Sequence, residues 1–202
     1  MTQLEVLVEE PSMEEALRHL LLKILQGRAN FKLINMRSKG RLLKELPNRL
    51  RAYRQRLLAG EDIKVIVLVD RDNEDCQKLK RELEKIATQA GLATKTHLDD
   101  SGQFQVLNRI VIEELEAWFM GDVDALKAAF TSLRNVSFPR NFNNPDNGGT
   151  WERLHRFLKK NGIYRSSYPK IEAARKIAKH MEPSRNHSRS FQHFLQGVEA
   201  CL

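Results

Sequence analysis

Cysteine is scarce in this chain, with Cys76 and Cys201 its only two. Two thiols cannot build a disulfide framework, and no Cys or His pair stands at a zinc-site spacing, so an apolar core has to hold the fold. Long apolar runs are missing too. No stretch is long enough to span a bilayer, and the acidic first residues do not read as a secretory leader, so a cytoplasmic protein without a membrane partner is expected. His19, His97, His155, His180, His187 and His193 are scattered without ligand or triad spacing and read as structural or surface groups. Internal repeats and low-complexity tracts are also absent.

Charge is plentiful. The formal net charge is +8 over 202 residues, a length that suits one ordinary domain with room for a real core. Between Arg28 and Lys64 stand eleven Arg and Lys against Glu45, Glu61 and Asp62. A second basic region runs from Arg153 to Arg189. Most charge runs are solvated helix faces, but two basic regions flanking an acidic centre favour nucleic acid, DNA or RNA, as partner.

The centre is KVIVLVDRDNEDC, Lys64 to Cys76. Val65 to Val69 is an unbroken apolar run, the mark of a strand buried on both faces in a parallel sheet. It ends on Asp70 and Asp72, which lie two apart on an extended chain and can face one hard cation. The plainer alternative is that Asp70 ends the strand and Asp72 or Asp75 caps a helix to Ala90.

Around it the pattern is α/β. Leu4 to Glu9 reads as a strand, followed by a helix to about Gln26 with a Ser12/Glu15 capping box and Gly27 as its stop. Glu9 and Glu10 sit at that turn, where acids also complement a helix dipole. Phe31 to Met36 reads as a strand. The basic segment then keeps helical spacing, with Pro47 restarting the helix. Lys64 to Leu98 reads as a βαβ unit closing on a weaker strand. Phe104 to Ile112 is another strand, delivering Glu113 and Glu116 to one face of a new helix, as metal ligands or as a first-turn acidic cluster. Asp122 caps a short helix. Thr131 to Gly149 reads as a long irregular loop, and three helices follow over Thr150–Lys160, Pro169–Met181 and Arg189–Leu202. The expected organisation is an α/β unit over 1–130 with a mostly parallel sheet, and a loop and helical portion over 131–202 packed on it.

Carboxylates converging from several strand ends are what Mg²⁺-dependent phosphodiester hydrolysis requires. The candidate ligands are Glu9, Glu10, Asp70, Asp72, Glu113 and Glu116, for Mg²⁺ or Mn²⁺. Lys170, opening a helix after Tyr168-Pro169, is a candidate for stabilising charge on phosphate, or is a solvated lysine. With Glu9, Asp70 and Asp72 it forms the expected catalytic set. A nucleophilic Asp70 of the haloacid-dehalogenase kind fits poorly, because Asp70-Arg71-Asp72-Asn73-Glu74 lacks the Thr or Val of that motif.

The acidic first strand end and the DxD on a hydrophobic strand resemble the Toprim fold of topoisomerases, primases and the overcoming-lysogenization-defect nucleases. More specifically, VLVEEPSMEEAL, VLVDRDNEDC, RIVIEELEAWFMGD, GGTWERL, YPKIEAARKIA and SRSFQHF resemble DUF4276, a Toprim-like bacterial family, over nearly the whole chain. The resemblance implies a Mg²⁺-binding nuclease, an effector of antiphage or mobile-element defence, often beside a partner ATPase. A non-catalytic module binding nucleic acid or that ATPase is the alternative. The chain departs from the Toprim pattern where Glu-Gly is usual, since Glu9 is followed by Glu10 and Pro11. Either glutamate can then take the catalytic place, and strand registry favours Glu9.

Overall fold

The computed structural model describes residues 1–71, 74–111 and 114–202. Four strands, β1 (Gln3–Val8), β2 (Asn30–Asn35), β3 (Ile63–Asp70) and β4 (Val106–Val111), form one parallel sheet in the order β2-β1-β3-β4. In register, Val6 lies opposite Leu33 on one side and Ile66 on the other, and Val67 lies opposite Asn108. The unbroken apolar run of β3 is explained by its two neighbours in depth. Val65, Val67 and Val69 pack with Leu42, Leu46 and Leu50 of α2 (Lys39–Leu58) and Leu79 and Leu83 of α3 (Cys76–Gln89). Ile66 and Leu68 face the opposite layer, built from Leu17, Leu20 and Leu21 of α1 (Pro11–Leu25) and the C-terminal helices. Asp75 caps α3 as its sequence position suggests, accepting the N–H groups of Gln77 and Lys78.

Past β4 the chain is helical: α4 (Leu115–Met120), α5 (Val123–Ala129), two short 3₁₀ turns, α6 (Thr150–Lys160), α7 (Lys170–Ala178) and α8 (Arg189–Glu199). Asp122 caps α5. Ala173, Ala174, Ile177 and Ala178 of α7 are fully buried in the layer that α1 shares, their small side chains permitting close approach. Trp118 of α4 is sealed between Phe191, edge-on at 5.1 Å, and Phe194, stacked at 5.0 Å, both from α8. Its indole N–H donates to Ser190 Oγ at 2.9 Å, so the polar tip goes inside satisfied. Asp146 fastens the 131–149 segment over the α8 N-terminus, accepting the backbone N–H of Arg189 at 2.7 Å and the Ser188 hydroxyl at 2.8 Å.

Four local expectations need correction. Helix α1 has no capping box. Its N-cap is Glu10, Pro11 fills the first helical position, the Ser12 hydroxyl donates to Glu10, and Glu15 pairs with Arg175 instead. Pro47 does not restart α2 but sits inside one continuous helix, where buried Leu46 and Leu50 hold the chain in place despite the missing N–H. The weaker strand before Leu98 is only a single bridge, Thr94 to Val106, because the next sheet strand is β4 itself. The 131–149 segment is not wholly irregular, as Thr131–Leu133 and Arg140–Asn143 form 3₁₀ turns.

Candidate functional site: carboxylates around Lys170 at the strand ends

Strands β1 and β3 are neighbours, but the chain leaves β1 for α1 on one face of the sheet and leaves β3 for α3 on the other. Their carboxyl ends therefore lie at the point where the winding reverses, the place where open α/β sheets bind ligands. Glu9 is the first residue beyond β1 and Asp70 the last of β3. The Glu9 carboxylate accepts the backbone N–H of Asp70 at 3.2 Å, which joins the two strand ends directly. Asp70 is only 6% exposed.

Three further acids join through one cation. Lys170, the first residue of α7, is brought in by the packing of that helix on α1, and its Nζ lies 4.0 Å from Glu10 Oε2. Beyond β4 the backbone is extended at Glu114 before α4 begins. The Glu114 carboxylate accepts the Thr150 hydroxyl at 3.0 Å and the Trp151 N–H at 3.1 Å, so it caps the first turn of α6. Glu116 is 2% exposed.

Burial dominates the electrostatics. Desolvation pushes the Glu116 carboxyl up to about 7; Lys170 opposes this, while Glu114 and Glu10 reinforce it. Glu114 is also raised by burial, with its bonds to Thr150 and Trp151 working the other way. Burial alone would lower the ammonium of Lys170. Glu10, Glu116, Glu114 and Asp70 together more than offset that, leaving it raised and firmly protonated. The Tyr168 hydroxyl is driven well above its ordinary range by burial and by the adjoining Glu116. Such a set offers oxygen ligands to a hard cation, one fixed positive charge, and one carboxyl that keeps its proton almost to neutral pH.

Of the residues singled out from the sequence, Glu9 and Asp70 meet directly, and Glu10, Glu116 and Asp70 gather around Lys170. Asp72 and Glu113 lie outside the described residues. Glu114 and Tyr168 were not foreseen. The spacing of Glu113 and Glu116 suggested a shared helical face and drew attention past Glu114, whose role depends on α6 arriving from 36 residues away. Among the described residues no three His, Cys, Asp or Glu side chains come together closely enough to hold a metal ion.

Five of the eleven cations in the basic segment from Arg28 to Lys64 are ion-paired among the described residues. Arg28 pairs with Glu199, Lys39 with Glu74, Arg41 and Arg49 with Glu45, and Arg56 with both Glu5 and Glu61. No helix among the described residues is long and apolar enough to cross a membrane. In comparisons with known proteins, residues 8–199 match a family described as a domain of unknown function, DUF4276. No curated protein and no solved structure gives a match.

Proposed function

The chain belongs to the DUF4276 family, and from that premise and the geometry of its strand ends we propose that it hydrolyses phosphodiester bonds in nucleic acid with Mg²⁺ or Mn²⁺. The observation that carries this reading is the joining of Glu9 to Asp70 at the switch point of the sheet, with Lys170 held protonated beside them.

Mg²⁺ commonly takes only one or two protein carboxylates and fills its remaining positions with water and substrate phosphate. Glu9 and Asp70 supply that minimum as hard oxygen donors on two rigid strand ends, and Asp72 follows two residues on in sequence. The donor set therefore fits such an ion even without a third near ligand. When bound, the ion would polarise the phosphoryl group and lower the pKa of a coordinated water. The chain's own residues do the rest. Phosphate approaching a cluster of acids needs a compensating cation, and Lys170 offers one with donors to spare where negative charge develops. Glu10 steadies that ammonium while itself held by Ser12. Glu116, raised to about 7 by burial, holds a proton over most of the acidic range, which limits the negative charge that a phosphate must face there. The Toprim resemblance of the sequence supports the same reaction class.

The test is cleavage of plasmid DNA and of total tRNA by the purified protein with Mg²⁺ or Mn²⁺, beside Asp70→Asn prepared identically. Metal-dependent cleavage that disappears in the variant is expected, and the cut substrate identifies the nucleic acid. Equal cleavage by parent and variant, or none by the parent with either metal, overturns the proposal.

A further inference from the structure

A cleft of about 230 Å³ opens on α6, away from the carboxylates. Its walls include Arg153, Arg156 and Lys160, at helical positions i, i+3 and i+7 and so on one face, and its lining also takes in Phe157 of the same helix and Pro139, Asn141 and Phe142 before it. Arg153 is structural, donating to the carbonyls of Asn147 and Pro145 and so tying α6 to the loop before it. Arg156 and Lys160 are exposed and have no ion pair among the described residues, unlike Arg41, Arg49 and Arg56 of α2. Residues 131–165 carry seven Arg and Lys against only Asp146 and Glu152. Asp146 is spent on the α8 N-terminus, so the cleft faces solvent with uncompensated positive charge. Phe157 and Phe142, 5.1 Å apart between ring centres and almost wholly buried, support the cleft from beneath.

The same helix reaches the carboxylate site, since its first turn donates to Glu114. At about 1.5 Å of rise per residue, Arg156 lies about 9 Å along the axis from Thr150 and Lys160 about 15 Å. A stacked strand advances about 3.4 Å per nucleotide, so the cleft stands about three or four nucleotides from the cluster. Cations beside the exposed Pro139 and half-buried Val136 suit a strand whose bases are free to lie against apolar surface, whereas a duplex presents mainly its phosphates. We propose that this cleft binds single-stranded nucleic acid and extends the substrate path of the carboxylate site. The path's direction rests on the phosphodiester reading above, but the binding does not.

The probe is a fluorescently labelled twelve-nucleotide oligothymidine, titrated by anisotropy in EDTA over a range of salt. Arg156→Ala/Lys160→Ala is compared with the parent and with Arg51→Ala/Arg54→Ala, which removes the same charge from the exposed face of α2. Thermal melts establish that all three are folded. Loss of two phosphate contacts should reduce the slope of log affinity against log salt by about 1.4 and weaken binding roughly ten- to hundredfold at low salt, with the α2 control near parent. Absence of binding by the parent, an unchanged slope in the α6 variant, an equal loss in the α2 control, or equally tight binding of a duplex of the same length each overturns the inference. Oligothymidine binding that depends on α6, in a protein that cleaves nothing, would sink the hydrolytic proposal alone. Cleavage that needs Asp70 with binding indifferent to α6 would sink this one alone.

Discussion

Replacing Glu116 by Gln should make the protein more stable, and increasingly so as the pH rises. Glu116 is almost wholly buried, and its carboxyl is raised from an ordinary 4.5 to about 7, chiefly by desolvation, even with Lys170 pulling the other way. Each tenfold change in proton affinity is worth about 1.4 kcal/mol, so ionising this group in the folded protein is disfavoured by about 3 kcal/mol. The sign follows from proton binding. Between about 4.5 and 7 the folded chain holds a proton that the unfolded chain has released, so stability falls as pH rises through that window and stays low above it. Gln cannot ionise and removes the penalty, while Glu10 and Glu114 remain as partners for Lys170. Urea unfolding of parent and Glu116→Gln at pH 4.5 and pH 8 should show the difference between them move by about 3 kcal/mol in favour of the variant. Parallel stability profiles, or a variant that loses ground with rising pH, would refute the upward shift of the Glu116 carboxyl.

Pro47→Ala should stabilise the protein by about 1 to 3 kcal/mol, because Pro47 deprives the interior of α2 of a backbone donor; a lower melting temperature in the variant would contradict this. Gly121→Ala should destabilise by about 1 to 3 kcal/mol or more. An added Cβ would lie 2.3 Å from Asn186 Oδ1 and 2.8 Å from the Ser188 nitrogen. Asn186 cannot easily retreat, since its amide donates to the Trp118 carbonyl at 2.7 Å and its carbonyl accepts from Ser188, so denaturant titration should show a reduced midpoint with the slope unchanged.

Elements set by local periodicity were legible in the sequence. The valine run of β3, the Asp75 cap of α3 and the limits of α6 fall where apolar spacing and capping chemistry put them. Glu9 and Asp70 could be read as partners because a parallel sheet delivers its strand ends to one edge. Ser12 misled because Pro11 already filled the first helical position, turning a sequence-perfect capping box into an interior contact. The expected strand before Leu98 has apolar residues, but only Thr94 finds a ladder partner. Glu114 was illegible for a different reason. Nothing within a few residues of it signals that Thr150 and Trp151 will come to meet it, and the same holds for the bond between Lys23 and the carbonyls of Lys179 and Met181. Charge was misleading in bulk, since Arg28, Lys39, Arg41, Arg49 and Arg56 of the densest basic run are ion-paired within the protein, while Arg156 and Lys160 of a sparser one stand open to solvent.

The order in which the chain is made gives the placement of Lys170 a temporal meaning. Its acidic neighbours at residues 10, 70, 114 and 116 leave the ribosome well before it does. At about 5 to 20 residues per second, several seconds separate the end of β4 from the completion of α7. During that interval the sheet carries a knot of like charges with no ammonium to hold them, and α1 exposes the apolar face that α7 will cover. A nascent chain thus lacks the cation of its carboxylate cluster until α7 docks, and the core waits on α8 after that.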